Sequence, residues 1–251
     1  MSEPRVSVIV PFFNRQRYLG ACVEALLSQE PVGGPVEIIL VDNGSSDESA
    51  SVIERHPELI VLREGTPGAY AARNTGIRRA GAPIIAFTDA DCVVDRDWLK
   101  AICDGMRDPS VAVLVGQSSY PAEATIGLKL LAAYENAKAD YVASHCPPAY
   151  RFAYANNMAV RASVFAQLGL FEPWERAADS ELVHRIASKR PDLRFAFNRA
   201  MHVTHLEFLR LRDRLGRLSL YTQTNAKIPT FRELGVRQRL GVLWHLLRGG
   251  M

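Results

Sequence analysis

The chain has 251 residues, 48% of them hydrophobic and 23% charged, with a net charge of +3. That is ordinary for a soluble globular protein and too weakly basic to imply nucleic acid as a partner. The length suits one large α/β domain with appendages, or one and a half small domains. The charge is unevenly spread, because residues 206–251 hold eight Arg and one Lys against Glu207, Asp213 and Glu233, a net +6 that leaves −3 for the rest. A basic tail of this kind either meets something anionic, such as a membrane surface, or forms a solvated helical face.

Cys22, Cys92, Cys103 and Cys146 form no CxxC pair and read as reduced thiols of a cytosolic protein. No charged-then-apolar leader precedes the first apolar run. No stretch reaches the ~20 apolar residues of a spanning helix. A soluble protein is expected, cytoplasmic and at most peripheral at the inner face of a membrane.

In chain order, Val6 to Val10 predicts a buried strand, stopped by Pro11 and Asn14. Tyr18 to Ser28 follows at helical spacing, then a second strand over Val36 to Val41. The run Asp42-Asn43-Gly44-Ser45-Ser46-Asp47 predicts a turn that caps the next helix. A third strand is expected over Leu59 to Leu62, an Ala- and Arg-rich helix over Ala69 to Ala80, and a fourth strand over Pro83 to Phe87.

Repeated βα units imply a mostly parallel sheet with helices on both faces. Such sheets bind ligands at the strands' carboxyl ends. Asn14, Asp42, Asn43, Asp89 and Asp91 all follow directly on predicted strands, where that rule puts ligand groups. Beyond them, a strand over Val111 to Gly116 and a long helix over Ala124 to Ser144 are expected. An extended run over Tyr150 to Val160 and helices over Ala162 to Leu168 and Asp179 to Lys189 follow. Two short strands, Phe195 to Phe197 and Met201 to Val203, are expected around Asn198-Arg199.

Asp89-Ala90-Asp91 is the sharpest feature. Two carboxylates at the end of an apolar strand need a compensating cation to lose their water. Mg²⁺ or Mn²⁺, bound through carboxylates and substrate phosphates, fits that need. The alternative is an exposed Asp-rich turn before a helix. Asp42 with Asn43 can hydrogen-bond a base or ribose, or simply cap a helix. Arg73 offers a planar fork for phosphate oxygens beside the Gly65–Gly68 loop, or solvates on a surface. Asp179 opens a helix and is equally readable as its cap, and His205 as a core histidine.

Taken in order, these stretches resemble glycosyltransferase family 2, the inverting family with the GT-A fold. The resemblance rests on Val8-Ile9-Val10-Pro11-Phe12-Phe13-Asn14, Val41 to Asp47, Gly68 to Gly76, Phe87 to Asp91, Asn157 to Arg161 and Asp179-Ser180-Glu181-Leu182. It implies a nucleotide-sugar site built from Pro11, Phe12, Asn14, Asp42, Asn43, Arg73, Asn74, Asp89 and Ala90. It implies Asp91 as direct metal ligand with help from Asp89 and His205, Mn²⁺ or Mg²⁺ as cofactor, and Asp179 as catalytic base. The donor it implies is a UDP-sugar before a GDP- or dTDP-sugar, and the acceptor an unidentified glycan or lipid-linked molecule.

Phe13 stands where Tyr is commoner, and Ala178 where an acidic neighbour of the base is usual. The Gln-x-x-Arg-Trp motif of processive synthases is absent, so addition of a single sugar is expected. The expected domains are 1–205 for the transferase and 206–251 for a basic helical extension. Its leucines and arginines suit an amphipathic helix on anionic lipid. Val142 to Tyr150 is a candidate acceptor loop. An inactive GT-A scaffold is the alternative reading, and a haloacid-dehalogenase-type phosphatase, which carries its Asp-x-Asp on the first strand, a more distant one.

Overall fold

The computed structural model describes residues 3–174 and 176–215. Its eight strands form one sheet in the order β3-β2-β1-β4-β7-β6-β8-β5. The first half follows the expected βα alternation: β1 Val6–Phe12, α1 Gln16–Leu27, β2 Val36–Asp42, α2 Ser49–Ile53, β3 Ile60–Arg63, α3 Ala69–Arg79 and β4 Ile84–Thr88. Here β2 and β4 both run parallel to β1, and β3 runs parallel to β2. The carboxyl ends of four strands therefore share one edge.

Period-two alternation divides each central strand between two cores. Val6, Val8, Val10 and Phe12 pack on one face with Leu19 and Val23 of α1. Ile9, Ile39, Ile85 and Phe87 pack on the other with Tyr70 and Ile77 of α3. Helices cover both faces, so the strands read as continuous apolar runs.

The second half departs from a parallel sheet. A short strand, β5 Cys92–Val94, follows the Asp89–Asp91 turn, then come α4 Trp98–Gly105, β6 Val111–Ser119 and α5 Ile126–His145. After these lie β7 Asn157–Arg161, α6 Ala162–Leu168, α7 Ala178–Lys189 and β8 Arg194–His205. β7 runs antiparallel to β4 and to β6, and β5 antiparallel to β8.

The two short strands expected near the end are one strand. β8 bulges at Asn198-Arg199, because the register on β6 jumps from Gly116↔Asn198 to Gln117↔His202. Gly116 permits the jump: a Cβ there would lie 2.0 Å from the Met201 carbonyl oxygen. The far end of β8 then pairs His205 with Cys92.

The expected boundary at residue 205 meets continuous packing. Leu206 N–H donates to the Asp91 carbonyl, Thr125 N–H to the Leu209 carbonyl, and Phe208 is buried. Residues 206–210 are not helical, so the amphipathic helix expected from Leu206 does not begin there. Most of that expected helix and extension, residues 216–251, lies outside the described residues. No described helix is long and apolar enough to cross a membrane.

Candidate active site

The Asp89–Asp91 turn links β4 to β5 and is closed by the Cys92 N–H donating to the Asp89 carbonyl. Asp91 is only 4% exposed. Its carboxylate lies 3.5 Å from Arg15 Nε and 3.7 Å from His205 Nε2. Burial pushes its pKa up, and Asp89 and Glu207 add to the rise while His205 and Arg15 oppose it. A carboxylate so desolvated favours any cation that reaches it.

Asp89 is half-buried and ion-paired to Arg73. That guanidinium is itself buried, stacks 5.1 Å from the Tyr70 ring centre, and keeps its Nε without a hydrogen-bond partner among the described residues.

Asp179 faces the same space from the first turn of α7, after Ala177 in a left-handed conformation. Oδ2 accepts the Ala155 N–H at 2.9 Å and Oδ1 the Ser180 N–H at 2.8 Å. The Tyr70 hydroxyl and Arg73 also bear on it. Burial nevertheless raises its pKa above the ordinary carboxylate range. Arg73 thus acts on both Asp89 and Asp179.

These groups line one cleft of about 380 Å³. The first half of the chain lines it with Pro11, Phe12, Arg15, Asn43, Arg73 and the Asp89–Asp91 turn, the second half with Gly116, Asn136, residues 152–157, Asp179 and His205. Of the residues expected in the site, Asp89, Ala90, Asp91, Asp179, His205, Pro11, Phe12, Asn43 and Arg73 are gathered here.

Asn14, Asp42 and Asn74 are not among the described residues lining this cleft. Asn14 accepts the Ser46 N–H, and Asp42 accepts the Ser45 N–H while pairing with Arg63 at 3.7 Å. Asp42 faces a neighbouring hollow beside Ile53 and Leu59. Asn74 is buried with both ends of its amide bonded to the Phe171 backbone, at 2.8 and 3.0 Å. Asn43 reaches the cleft, but its amide holds the loop before α3 through Glu64, Thr66 and Gly68.

Other cleft residues were not expected. Arg15 and Tyr70 carry a faint signal, one directly after Asn14 and the other a helical turn before Arg73 and Asn74. Asn157, inside a quoted stretch, proves to be a buried hub. It accepts from Trp98 Nε1 at 2.8 Å and donates to the carbonyls of Gln117 and Met201. Glu135 and Tyr120 also line the cleft, both paired with Arg214, and had no pattern to reveal them.

Donor atoms of Asp91, Cys92 and His205 lie within 4.8 Å of one another. Burial holds the Cys92 thiol well above its usual pKa. His205 Nδ1 is buried with no hydrogen-bond partner among the described residues. The Asp91 carboxylate and the His205 imidazole, with the Asp89 carboxylate on the same turn, make an oxygen and nitrogen donor set that fits Mn²⁺ or Mg²⁺.

Residues 7–168 match the family model for glycosyl transferase family 2. Among curated relatives, glycosyltransferase AglE of Haloferax volcanii is 35% identical over 125 residues, 47% of this chain and 41% of that protein. An N-acetylglucosaminyltransferase of Azorhizobium caulinodans is 33% identical over 121 residues, 45% of this chain and 30% of that protein. The matched stretch therefore spans less than half of either relative.

Among solved structures, the mannosyltransferase PcManGT of Pyrobaculum calidifontis, in complex with GDP-Man and Mn²⁺, aligns with a TM-score of 0.61 at 24% identity. The alignment covers 81% of this chain and 57% of that one. S. aureus TarS 1-349 in complex with UDP aligns with a TM-score of 0.65 at 15% identity, over 97% and 70% of the two chains. The fold is the GT-A fold of these neighbours, and the match over residues 7–168 places the chain in glycosyl transferase family 2.

Proposed function

We propose that this chain is an inverting glycosyltransferase that moves one sugar from a nucleoside diphosphate sugar, UDP-linked first, to an acceptor hydroxyl. We place it in the synthesis of a cell-surface glycan or glycolipid at the cytoplasmic face of a membrane. One observation carries the reading: Asp91 and Asp179, both buried and both raised in pKa, face one cleft that Arg73 also lines. The solved neighbours holding GDP-Man with Mn²⁺ and UDP-GlcNAc support a sugar nucleotide as ligand.

Asp91 and His205, with Asp89 beside them, would hold Mn²⁺ or Mg²⁺. Bound there, the ion supplies positive charge to diphosphate oxygens. Pro11, Phe12 and Asn43, which line the cleft, would meet the nucleotide. Arg73, paired with the Asp89 carboxylate, would neutralise charge that builds on the leaving diphosphate.

Asp179 takes the acceptor hydroxyl's proton. The Ala155 and Ser180 N–H groups fix its orientation, and its raised pKa makes it a stronger base than a solvated aspartate. The acceptor oxygen attacks the anomeric carbon opposite the departing diphosphate, so the configuration inverts.

The test is calorimetric binding of UDP, GDP and dTDP with and without Mn²⁺, comparing the native chain with Asp91→Ala. Metal-dependent binding of one nucleotide, lost in the variant, is expected. A folded protein that binds none of the three would shift the assignment to an inactive GT-A scaffold.

A further inference from the structure

Residues 152–155, just before β7, all line the cleft. Burial alternates along them: Ala153 and Ala155 are buried, Phe152 is half-buried and Tyr154 is exposed. The two alanines hold the start of α7 through their backbone. Ala155 N–H donates to Asp179 Oδ2 at 2.9 Å, and the Ser180 hydroxyl donates to the Ala153 carbonyl at 3.3 Å. Phe152 and Tyr154 pair with ring centres 5.4 Å apart and planes tilted 59°, a spacing at which one sugar-sized ring can touch both. The backbone that orients Asp179 therefore also fixes these two aromatic rings.

Other aromatic side chains that line the cleft are covered or placed elsewhere. Phe12, Tyr70 and Phe208 are buried, and Tyr120 packs on His205 and Phe208 with its hydroxyl bonded to Arg214. Phe13 is exposed but directly follows Pro11 and Phe12, the residues proposed for the nucleotide. The Lys138 ammonium lies 5.0 Å over the Phe152 ring. Lys138 does not itself line the cleft, so it steadies the ring from behind. Beside the rings, Asn156 also lines the cleft, and its amide makes no hydrogen bond among the described residues.

Aromatic faces carry partial negative charge, which draws C–H groups, while an amide and a carboxylate take hydroxyls. A pyranose ring, with C–H groups on one face and hydroxyls around its edge, matches both. A phosphate acceptor would want an unpaired cation instead. Among the described residues, all four arginines that line the cleft are already partnered: Arg15 and Arg73 by Asp91 and Asp89, Arg214 by Glu135, and Arg176 as well. The candidate acceptor loop expected over Val142 to Tyr150 stops just short, since none of its described residues lines the cleft.

We infer that Phe152 and Tyr154 form the acceptor subsite and that the acceptor is a sugar, its terminal pyranose ring lying on the two rings with a hydroxyl turned toward Asp179. The inference rests on the transferase reading above, so nucleotide binding is titrated on the same samples to keep the two apart.

The test is saturation-transfer NMR on the full chain with Mg²⁺ and each of UDP, GDP and dTDP. The probes are methyl glycosides of glucose, galactose, mannose and N-acetylglucosamine, with geranyl phosphate as the anionic comparison. Irradiation of aromatic protons should carry over to at least one glycoside, most strongly to the protons of one ring face. Phe152→Leu and Tyr154→Leu keep apolar bulk but lose the ring, and each should weaken glycoside affinity about three- to tenfold. Tyr154→Phe keeps the ring and should stay within about twofold of the native chain.

Folded Leu variants with native glycoside affinity would overturn the inference, as would a native chain that binds nucleotide but no glycoside. Signal on geranyl phosphate alone would replace the sugar by a phosphate acceptor. Loss of nucleotide affinity in the Leu variants would give the rings to the donor. A chain that takes a glycoside on these rings yet binds no nucleotide would instead sink the transferase reading and leave the sugar subsite standing.

Discussion

Replacing Asp179 by Asn keeps the shape of the side chain and removes its ability to take a proton. A positioned general base contributes about 10²–10⁴-fold, or about 3 to 5 kcal/mol of barrier at 25 °C. Because the acceptor is unidentified, the assay is release of nucleoside diphosphate from the donor by slow hydrolysis, in which water takes the acceptor's place. The rate should fall at least about 100-fold while nucleotide affinity stays within about threefold.

The fold changes little by comparison. An asparagine has one acceptor oxygen for the two N–H groups of Ala155 and Ser180, and the group left facing its NH₂ costs about 1–3 kcal/mol. Removal of a buried charge offsets part of that. A net loss within ~2 kcal/mol moves the melting temperature by no more than about 8 °C in a chain of this size.

The native acid limb should lie above the ordinary aspartate value of about 3.9, because burial raises the Asp179 pKa, and it should vanish in the variant. The sign for stability is the reverse of the usual carboxylate case. A raised native pKa means that the folded state binds the proton more tightly. Asp179 therefore opposes folding at neutral pH, and its cost fades as pH falls through the raised pKa toward the ordinary one. A folded Asp179→Asn that still hydrolyses donor at more than about a third of the native rate would refute the base assignment and leave Asp179 as a brace for the Ala155 and Ser180 N–H groups.

Asp91→Asn should weaken Mn²⁺-dependent nucleotide binding by about 10–100-fold by calorimetry, since it removes the buried carboxylate at the centre of the donor set. Arg15→Gln should tighten Mn²⁺ binding without nucleotide by a few-fold, read by titration, because Arg15 competes for Asp91 from 3.5 Å; unchanged affinity would mean the pair is too solvated to matter. Asn74→Ala should cost about 2–4 kcal/mol by denaturant unfolding, by orphaning both Phe171 backbone groups, yet change nucleotide affinity less than threefold. Gly116→Ala should lose about 3 kcal/mol or more, or fail to give soluble protein, because its Cβ would meet the Met201 carbonyl at 2.0 Å and Asn157 Nδ2 at 2.4 Å.

What the sequence exposed depended on whether a residue's role was local. The parallel half of the sheet was legible because β1, β2 and β4 are buried on both faces and so read as unbroken apolar runs. Residues that follow directly on such strands must lie on the ligand-binding edge, which is why Asp89, Asp91 and Asn43 fell into place. The antiparallel half was not legible in the same way. β5 has three residues, too few for any periodicity, and it exists because the end of β8 is there to pair with it. Position alone does not separate a ligand group from a brace. Asn74 sits next to Arg73 on α3, yet 3.6 residues per turn sends the two side chains apart, one to Asp89 and the other to Phe171.

The same limit governs the cations of the cleft. Three carboxylates crowd one partly dry space, and a structure can hold them charged only if cations stand near. The guanidiniums of Arg15 and Arg73 and the imidazole of His205 come from the residue before α1, from α3 and from the end of β8, so no spacing in the chain could have grouped them. Only the sheet order, with β8 returning beside β5, brings His205 to Asp91. A diphosphate entering this cleft meets cations already assembled on the carboxylates, and its binding must exchange one set of ion pairs for another. Nucleotide affinity should therefore fall with added salt less steeply than two free guanidiniums would give, because part of the charge of Arg73 and Arg15 is already spent on Asp89 and Asp91. Calorimetric titration of the nucleotide across a salt series checks this, and a slope as steep as two unpaired cations require would show that the carboxylates do not hold them.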